Sequence, residues 1–234
     1  MTYPGGKGGA GVAQRLISLM PEHQEYVEPF AGSATIARIK RPAPLNNVLA
    51  DKSAYVAERL RVEASEILRI KTAGGPPFIA QIRWSDFRQT LALGACHCAK
   101  TLVYCDPPYH PSTRSKQKIY QHEMTDADHR ELLAMLKALP CFVMLSGYRC
   151  DLYDRELTNW NRVDYRTMTR GGPRIESCWM NFLPRAPYHD SRFAGEGFRD
   201  RERIKRKASR WARRIMMMPT LERQAILDAV GSVK

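Results

Sequence analysis

Three short apolar runs in this chain each close on an aspartate at a turn. Asn47 to Ala50 runs into Asp51, Phe78 to Trp84 into Ser85-Asp86, and Thr101 to Cys105 into Asp106. Helical patterns stand between such runs. Val12, Leu16 and Leu19 share one helical face up to Pro21, and Glu25 to Phe30 then reads as a strand running into Ala31-Gly32-Ser33. After Asp51 comes a helix carrying Val56, Leu60, Ala64 and Ile67, ended by Gly74-Gly75-Pro76-Pro77. A further helix spans 125 to 139, with Asp126 and Asp128 at its positive end, and Cys141 to Leu145 follows as a buried fifth strand. The last pair, about Asn161 to Met168 and Ser177 to Leu183, is separated by Gly171-Gly172-Pro173 and reads as a hairpin. Alternating strands and helices predict an α/β fold, a doubly wound and mostly parallel seven-stranded sheet with the hairpin as a terminal antiparallel addition. Ligands of such sheets sit at the strand carboxyl ends, so Asp51, Asp86 and Asp106 are candidates for one common cleft.

The 234 residues exceed what this sheet requires, and the excess is basic. The expected division is a main domain over 1–184 and a helical extension over 185–234. The extension holds thirteen Lys and Arg against six Asp and Glu, about half of the formal net charge of +13. Ile204, Ala208, Trp211 and Ile215 make an apolar stripe on a helix otherwise covered by Arg and Lys, and Pro219 stops it ahead of a second helix with Ile226, Leu227 and Val230. Such a surface suits a polyanion. No apolar run reaches the ~18 residues of a spanning helix, so a soluble, cytoplasmic protein without a membrane partner is expected. The six cysteines have no C-x-x-C spacing, and Cys96-His97-Cys98 is too tight for half of a zinc site, so reduced cysteines and no metal are expected. A single copy is the expected working unit, although the Ile204 to Ile215 face could pair two.

The most specific motif is Asp106-Pro107-Pro108-Tyr109. Prolines donate no backbone N–H, and an ionised Asp only accepts, so the turn presents acceptors alone. The Asp106 carboxylate and the Pro107 carbonyl can together take both hydrogens of an exocyclic amino group, which frees the nitrogen lone pair. Tyr109 offers a flat face to the attached base. Any exocyclic amino group suits this pair of acceptors, that of cytosine as well as that of adenine.

With Tyr3-Pro4-Gly5-Gly6-Lys7, Glu28-Pro29-Phe30-Ala31-Gly32-Ser33, Ala50-Asp51, Ser85-Asp86-Phe87 and Asp106-Pro107-Pro108-Tyr109 in this order, residues 3 to 183 resemble the S-adenosylmethionine-dependent DNA adenine methyltransferases of the Dam-like family, including its compact phage and prophage forms. The resemblance implies a Rossmann-like methyltransferase fold, S-adenosylmethionine as cofactor, and methylation of adenine N6 in duplex DNA with the base flipped out. By similarity Tyr3, Phe30, Ala31, Gly32 and Ser33 line the cofactor, Asp51 takes its ribose hydroxyls, and Asp86 with Phe87 meets its adenine. Lys7 then helps hold cofactor and target, and Asp106 to Tyr109 carry the reaction. The chain departs from larger members, which insert a target-recognition region between the third and fourth strands. Here only Arg88 to Lys100 lies between Phe87 and Thr101. Contact with DNA then falls to Arg114, Lys116 and Lys118 in the loop 110–122, and to Arg203, Lys205, Arg206, Lys207 and Arg210 in the extension. These would grip phosphate and read little sequence. From a different class, a regulator that kept the fold and lost turnover would bind through the same basic surface.

Overall fold

A computed structural model describes residues 7–8, 11–71, 80–114, 120–169, 172–184 and 188–232. Tyr3 to Gly6, Gly74 to Phe78, Lys116, Lys118 and Gly171 lie outside these described residues. The chain divides into two compact units, one up to Asp190 and one from Ser191 on.

In the first unit the strands are β1 (Glu25–Glu28), β2 (Asn46–Asp51), β3 (Ala80–Trp84), β4 (Thr101–Cys105), β5 (Phe142–Gly147), β6 (Asn161–Thr169) and β7 (Gly172–Met180). They form one sheet in the order β3-β2-β1-β4-β5-β7-β6. The first five are parallel, and β7 runs antiparallel to both of its neighbours. The apolar runs of β2, β4 and β5 form strands covered on both faces, and every residue of β4 is buried, whereas the edge strand β3 leaves Arg83 and Trp84 exposed. Helices α1 (Val12–Ile17), α2 (Thr35–Ile39), α3 (Ala54–Lys71), α4 (Phe87–Leu91), α5 (Asp126–Ala138) and α6 (Asp151–Glu156) connect them. The α5 helix starts where Thr125 accepts from the Asp128 N–H and Asp128 reaches back to Thr125, and it buries Leu132, Leu133 and Leu136. Trp179 is buried edge-on to Tyr153 in the same core, and Trp160 packs against it.

Chain order reverses between β1 and β4, and a crevice opens there at the strand carboxyl ends. Sequence reasoning starts the seventh strand at Ser177, whereas it starts at Gly172 with Pro173 opposite Met168. A proline is tolerated there because β7 pairs with β5 only from Ser177 onward, so its first half has a partner on one side alone. The unit closes with Tyr188 bridged to Pro21, His189 stacked on His23, and Asp190 accepting from the Arg41 N–H.

The second unit holds α7 (Phe198–Met216) and α8 (Thr220–Ser232), and neither helix buries a residue. No helix among the described residues is long and apolar enough to cross a membrane.

Candidate active site

The crevice is a partly open cleft lined by residues that follow the ends of β1, β2, β3 and β4. The segment after β1 forms one wall: Phe30, Ala31, Gly32 and Ser33 line the space, and the Phe30 ring stacks on Phe87 with centroids 5.7 Å apart. Gly32 and Ala34 both have left-handed backbone, with φ of 49° and 51°. For Ala34 this is a strained conformation, fixed by its complete burial at the start of α2. The Asp51 carboxylate anchors the segment, taking the Gly32 N–H on Oδ2 at 2.9 Å and the Ser53 N–H on Oδ1 at 2.8 Å. Burial raises the Asp51 pKa above the usual carboxylate value, against the lowering effect of those two N–H groups.

Asp86 is the N-cap of α4. It accepts from the Arg88 N–H, while the Gln89 side chain returns to its own N–H. Lys52 and the Arg88 guanidinium stand 3.1 Å from its two oxygens, and with the Arg88 N–H they hold its pKa low in spite of partial burial. Both Asp51 and Asp86 thus have structural duties while lining the cleft.

Opposite lies the turn after β4. Asp106 Oδ1 receives Lys7 Nζ at 2.8 Å and Ser146 Oγ at 2.8 Å, and Ser146 Oγ is 2.9 Å from the Tyr104 hydroxyl. Among the described residues, both of these bonds to the carboxylate fall on Oδ1. Burial raises the Asp106 pKa, and nearby Glu176 adds to this, whereas Lys7 and Ser146 pull it down. Lys7 is 5% exposed, and the carboxylates and phenols around it outweigh its desolvation and keep it an ammonium. Tyr109 lies 4.5 Å, centroid to centroid, from Tyr148 and meets Tyr120 edge-on at 6.3 Å.

Five carboxylates (Asp51, Asp86, Asp106, Glu123 and Asp128), the protonated Glu28 and three Lys or Arg side chains (Lys7, Lys52 and Arg88) line the cleft. Such a lining favours a ligand that carries positive charge.

Sequence reasoning picked out Lys7, Phe30 to Ser33, Asp51, Asp86, Phe87 and Asp106 to Tyr109, and all of these line one cleft. Arg114 is turned inward: its guanidinium stands 2.7 Å from Glu123 and over the Tyr120 ring, instead of facing solvent where a phosphate would pass. Sequence reasoning missed Lys52, Tyr104, Tyr120, His122 and Glu123 in the lining, and Glu176 behind Lys7, whereas Ser146-Gly147-Tyr148, which by resemblance borders the target pocket, does place Ser146 on Asp106.

Glu28, at the end of β1, supplies a stability prediction. It is 3% exposed, and burial pushes its carboxyl up to about 8, although the Tyr26 hydroxyl donates to it at 2.8 Å. The folded protein then keeps a proton that the unfolded chain releases from about pH 4.5 upward. This group therefore costs stability increasingly as pH rises from about 4.5 to 8 and by a constant amount above that, with a limiting slope of ~1.4 kcal/mol per pH unit. Glu28→Gln should gain melting temperature relative to the parent as pH rises through that window. Melting curves at pH 5 and pH 8 check this, and an equal difference at both would refute it.

A comparison with curated proteins finds no match. Among solved structures, the chain is similar to magnesium protoporphyrin IX methyltransferase (ChlM) from Synechocystis PCC 6803 with bound SAM. That likeness has 14% identity and a TM-score of 0.42, over 68% of this chain and 70% of that one. It is similar also to a SAM-dependent methyltransferase from Agrobacterium tumefaciens, at 12% identity and a TM-score of 0.43, over 73% and 60% of the two chains. Likenesses this distant say nothing of what this chain acts on. Its own sequence is more informative, for residues 76–165, which include β4 and the Asp106 to Tyr109 turn, match the D12 class N6 adenine-specific DNA methyltransferases.

Proposed function

We propose that the protein transfers a methyl group from S-adenosylmethionine to the exocyclic N6 of adenine in duplex DNA, with the base flipped into the cleft. The observation that carries this reading is the Asp106-Pro107-Pro108-Tyr109 turn, which shares one cleft with the 30–33 segment and lies inside the stretch that matches the D12 class.

The residues fit the cofactor. The Gly32 backbone, without a side chain, allows close approach of the methionine part; the Asp51 carboxylate has lone pairs beyond the two already used; and the acidic lining suits a sulfonium and an α-ammonium. When bound, S-adenosylmethionine would supply an electrophilic methyl and leave as the neutral thioether S-adenosylhomocysteine, and the methylated nitrogen would give up one proton to the Asp106 carboxylate and so to solvent. The chain's own part is to prepare the nucleophile. Asp106 and the Pro107 carbonyl accept the two amino hydrogens and draw the nitrogen out of conjugation. As positive charge develops on that nitrogen, the Asp106 carboxylate stabilises it from a buried position, where such an interaction is stronger than in water. The Tyr109 ring stacks on the flipped base and offsets part of the few kcal/mol that unstacking costs. No covalent enzyme intermediate is required.

Duplex binding is assigned to exposed cations. Arg203, Lys205, Arg206, Lys207 and Arg210 are all exposed on α7, in a unit whose charge is strongly basic. They would contact phosphate and make affinity fall steeply with salt, without reading sequence. Short or loose sequence specificity follows, in keeping with the absence of an inserted recognition region between β3 and β4.

The test is to incubate the protein with mixed-sequence duplex DNA and methyl-labelled S-adenosylmethionine, digest to nucleosides and identify the labelled species by mass. Label on adenine N6 is expected. Label on cytosine N4 would overturn the choice of base, and cofactor binding without transfer to DNA would overturn the activity.

A further inference from the structure

Glu176 is a buried carboxylate that no cleft-lining motif includes. It stands on β7 opposite Tyr165 and is 4% exposed. Three donors converge on it: Lys7 Nζ at 3.1 Å and the Tyr165 hydroxyl at 3.2 Å on Oε2, and the Tyr109 hydroxyl at 2.9 Å on Oε1. Lys7 Nζ in turn donates to the Tyr109 hydroxyl at 2.9 Å and stands 2.8 Å from Asp106 Oδ1. An ammonium has three protons, and here Asp106, Tyr109 and Glu176 offer three acceptors.

We infer that Glu176 is a positioning residue of methyl transfer: it fixes Lys7 and Tyr109, and by sharing the ammonium it leaves the charge of Asp106 only partly neutralised. This rests on the methyl-transfer reading above. One ammonium between two carboxylates leaves the trio with a net charge of about −1, which favours a nitrogen that becomes positive as it is methylated. Without the Glu176 charge, Lys7 would neutralise Asp106 alone. The Tyr109 hydroxyl is held from both sides, by Lys7 as donor and Glu176 as acceptor, which sets the plane of the ring that faces the base.

The test is Glu176→Gln, which removes the charge and keeps one acceptor oxygen, the amide group taking the place of the other. Cofactor affinity should be unchanged, kcat should fall on the order of tenfold, and the acid limb of the kcat profile should move down by about one pH unit, because Asp106 loses a like charge and gains a larger share of Lys7. The other groups that act on Asp106 are the same in both proteins. They are Lys7, Glu28 on β1, Tyr104 and Cys105 on β4, Tyr109 and Tyr120 beside the turn, Tyr153 on α6 and Cys178 on β7. The tyrosines and the Cys105 and Cys178 thiols are all pushed up by burial and stay neutral through the limb, while burial pushes Glu28 up to about 8. A loss of rate with an unmoved limb would assign Glu176 a structural role only and overturn the inference, as would an unchanged rate. Should Glu176→Gln fail to fold, Lys7→Met is compared with the double variant Lys7→Met, Glu176→Gln, which buries no lone ammonium. Near-equal rates are expected, and a further loss of tenfold or so in the double variant would overturn the sharing. Titration of the Asp106 carboxyl by ¹³C NMR in the cofactor-free protein reads the same shift without turnover. An inactive parent protein would therefore refute methyl transfer to DNA, while this titration still decides the role of Glu176.

Discussion

Asp106→Ala should reduce methyl transfer to DNA by on the order of a thousandfold or more, with S-adenosylmethionine binding retained. The variant removes the acceptor that faces the target amine, and no other carboxylate can take its place, since Glu176 is held by Lys7, Tyr109 and Tyr165. Folding should survive. Burial raises the Asp106 pKa in spite of Lys7, so the fold gains little from its charge, and the Lys7 ammonium keeps Glu176 as its partner when Asp106 is gone. Asp106→Asn separates charge from shape, because its amide presents either an oxygen without full charge or a donor that opposes the amine. Both variants should bind cofactor in calorimetry and stay inactive in single-turnover labelling. Transfer at the parental rate would remove Asp106 from the mechanism, and joint loss of binding and fold would make it structural.

Strands β2, β4 and β5 are legible as short apolar runs set between helical patterns, β3 from its alternation, and β1, which reads Glu-Tyr-Val-Glu, from the Ala31-Gly32-Ser33 turn that follows it. The cleft is legible because three strand ends carry aspartates. The seventh strand was legible only from Ser177 to Met180, where it is buried between neighbours. Its first half reads Gly-Pro-Arg-Ile-Glu, a turn by composition, and becomes strand only through the ladder with β6. That misreading left Glu176 outside any element and hid the second carboxylate of the Lys7 cluster. Its signal was the register itself: once Asn161 is placed opposite Met180, Tyr165 falls opposite Glu176. The α4 helix carried a local signal, Asp86 followed three residues later by Gln89, but Asp86 had been read as a strand end. Its position in a basic loop makes Arg114 read as a phosphate contact. Nothing local shows that Glu123, nine residues on, turns it inward.

Asp51→Ala should weaken S-adenosylmethionine binding on the order of a hundredfold, cost ~1–3 kcal/mol of stability, and leave kcat at saturating cofactor near the parental value. Two effects combine. The carboxylate is the group proposed to meet the ribose hydroxyls, and it also fastens two backbone N–H groups, Gly32 at the end of the cofactor segment and Ser53 ahead of α3. Removing it orphans both, and the left-handed pair Gly32 and Ala34 loses the bond that opposes its strain. Asp51→Asn retains one acceptor oxygen while setting an amide donor against one of the N–H groups, so it should share the loss of affinity in smaller measure. The split between KM and kcat is the discriminating result, because Asp106, Lys7 and Tyr109 lie across the cleft and keep their own bonds. A fall in melting temperature with unchanged cofactor affinity would reduce Asp51 to an anchor for the 30–33 segment. A fall in affinity with an unchanged melting temperature would show that the ribose contact, and not the segment's geometry, is what the carboxylate contributes.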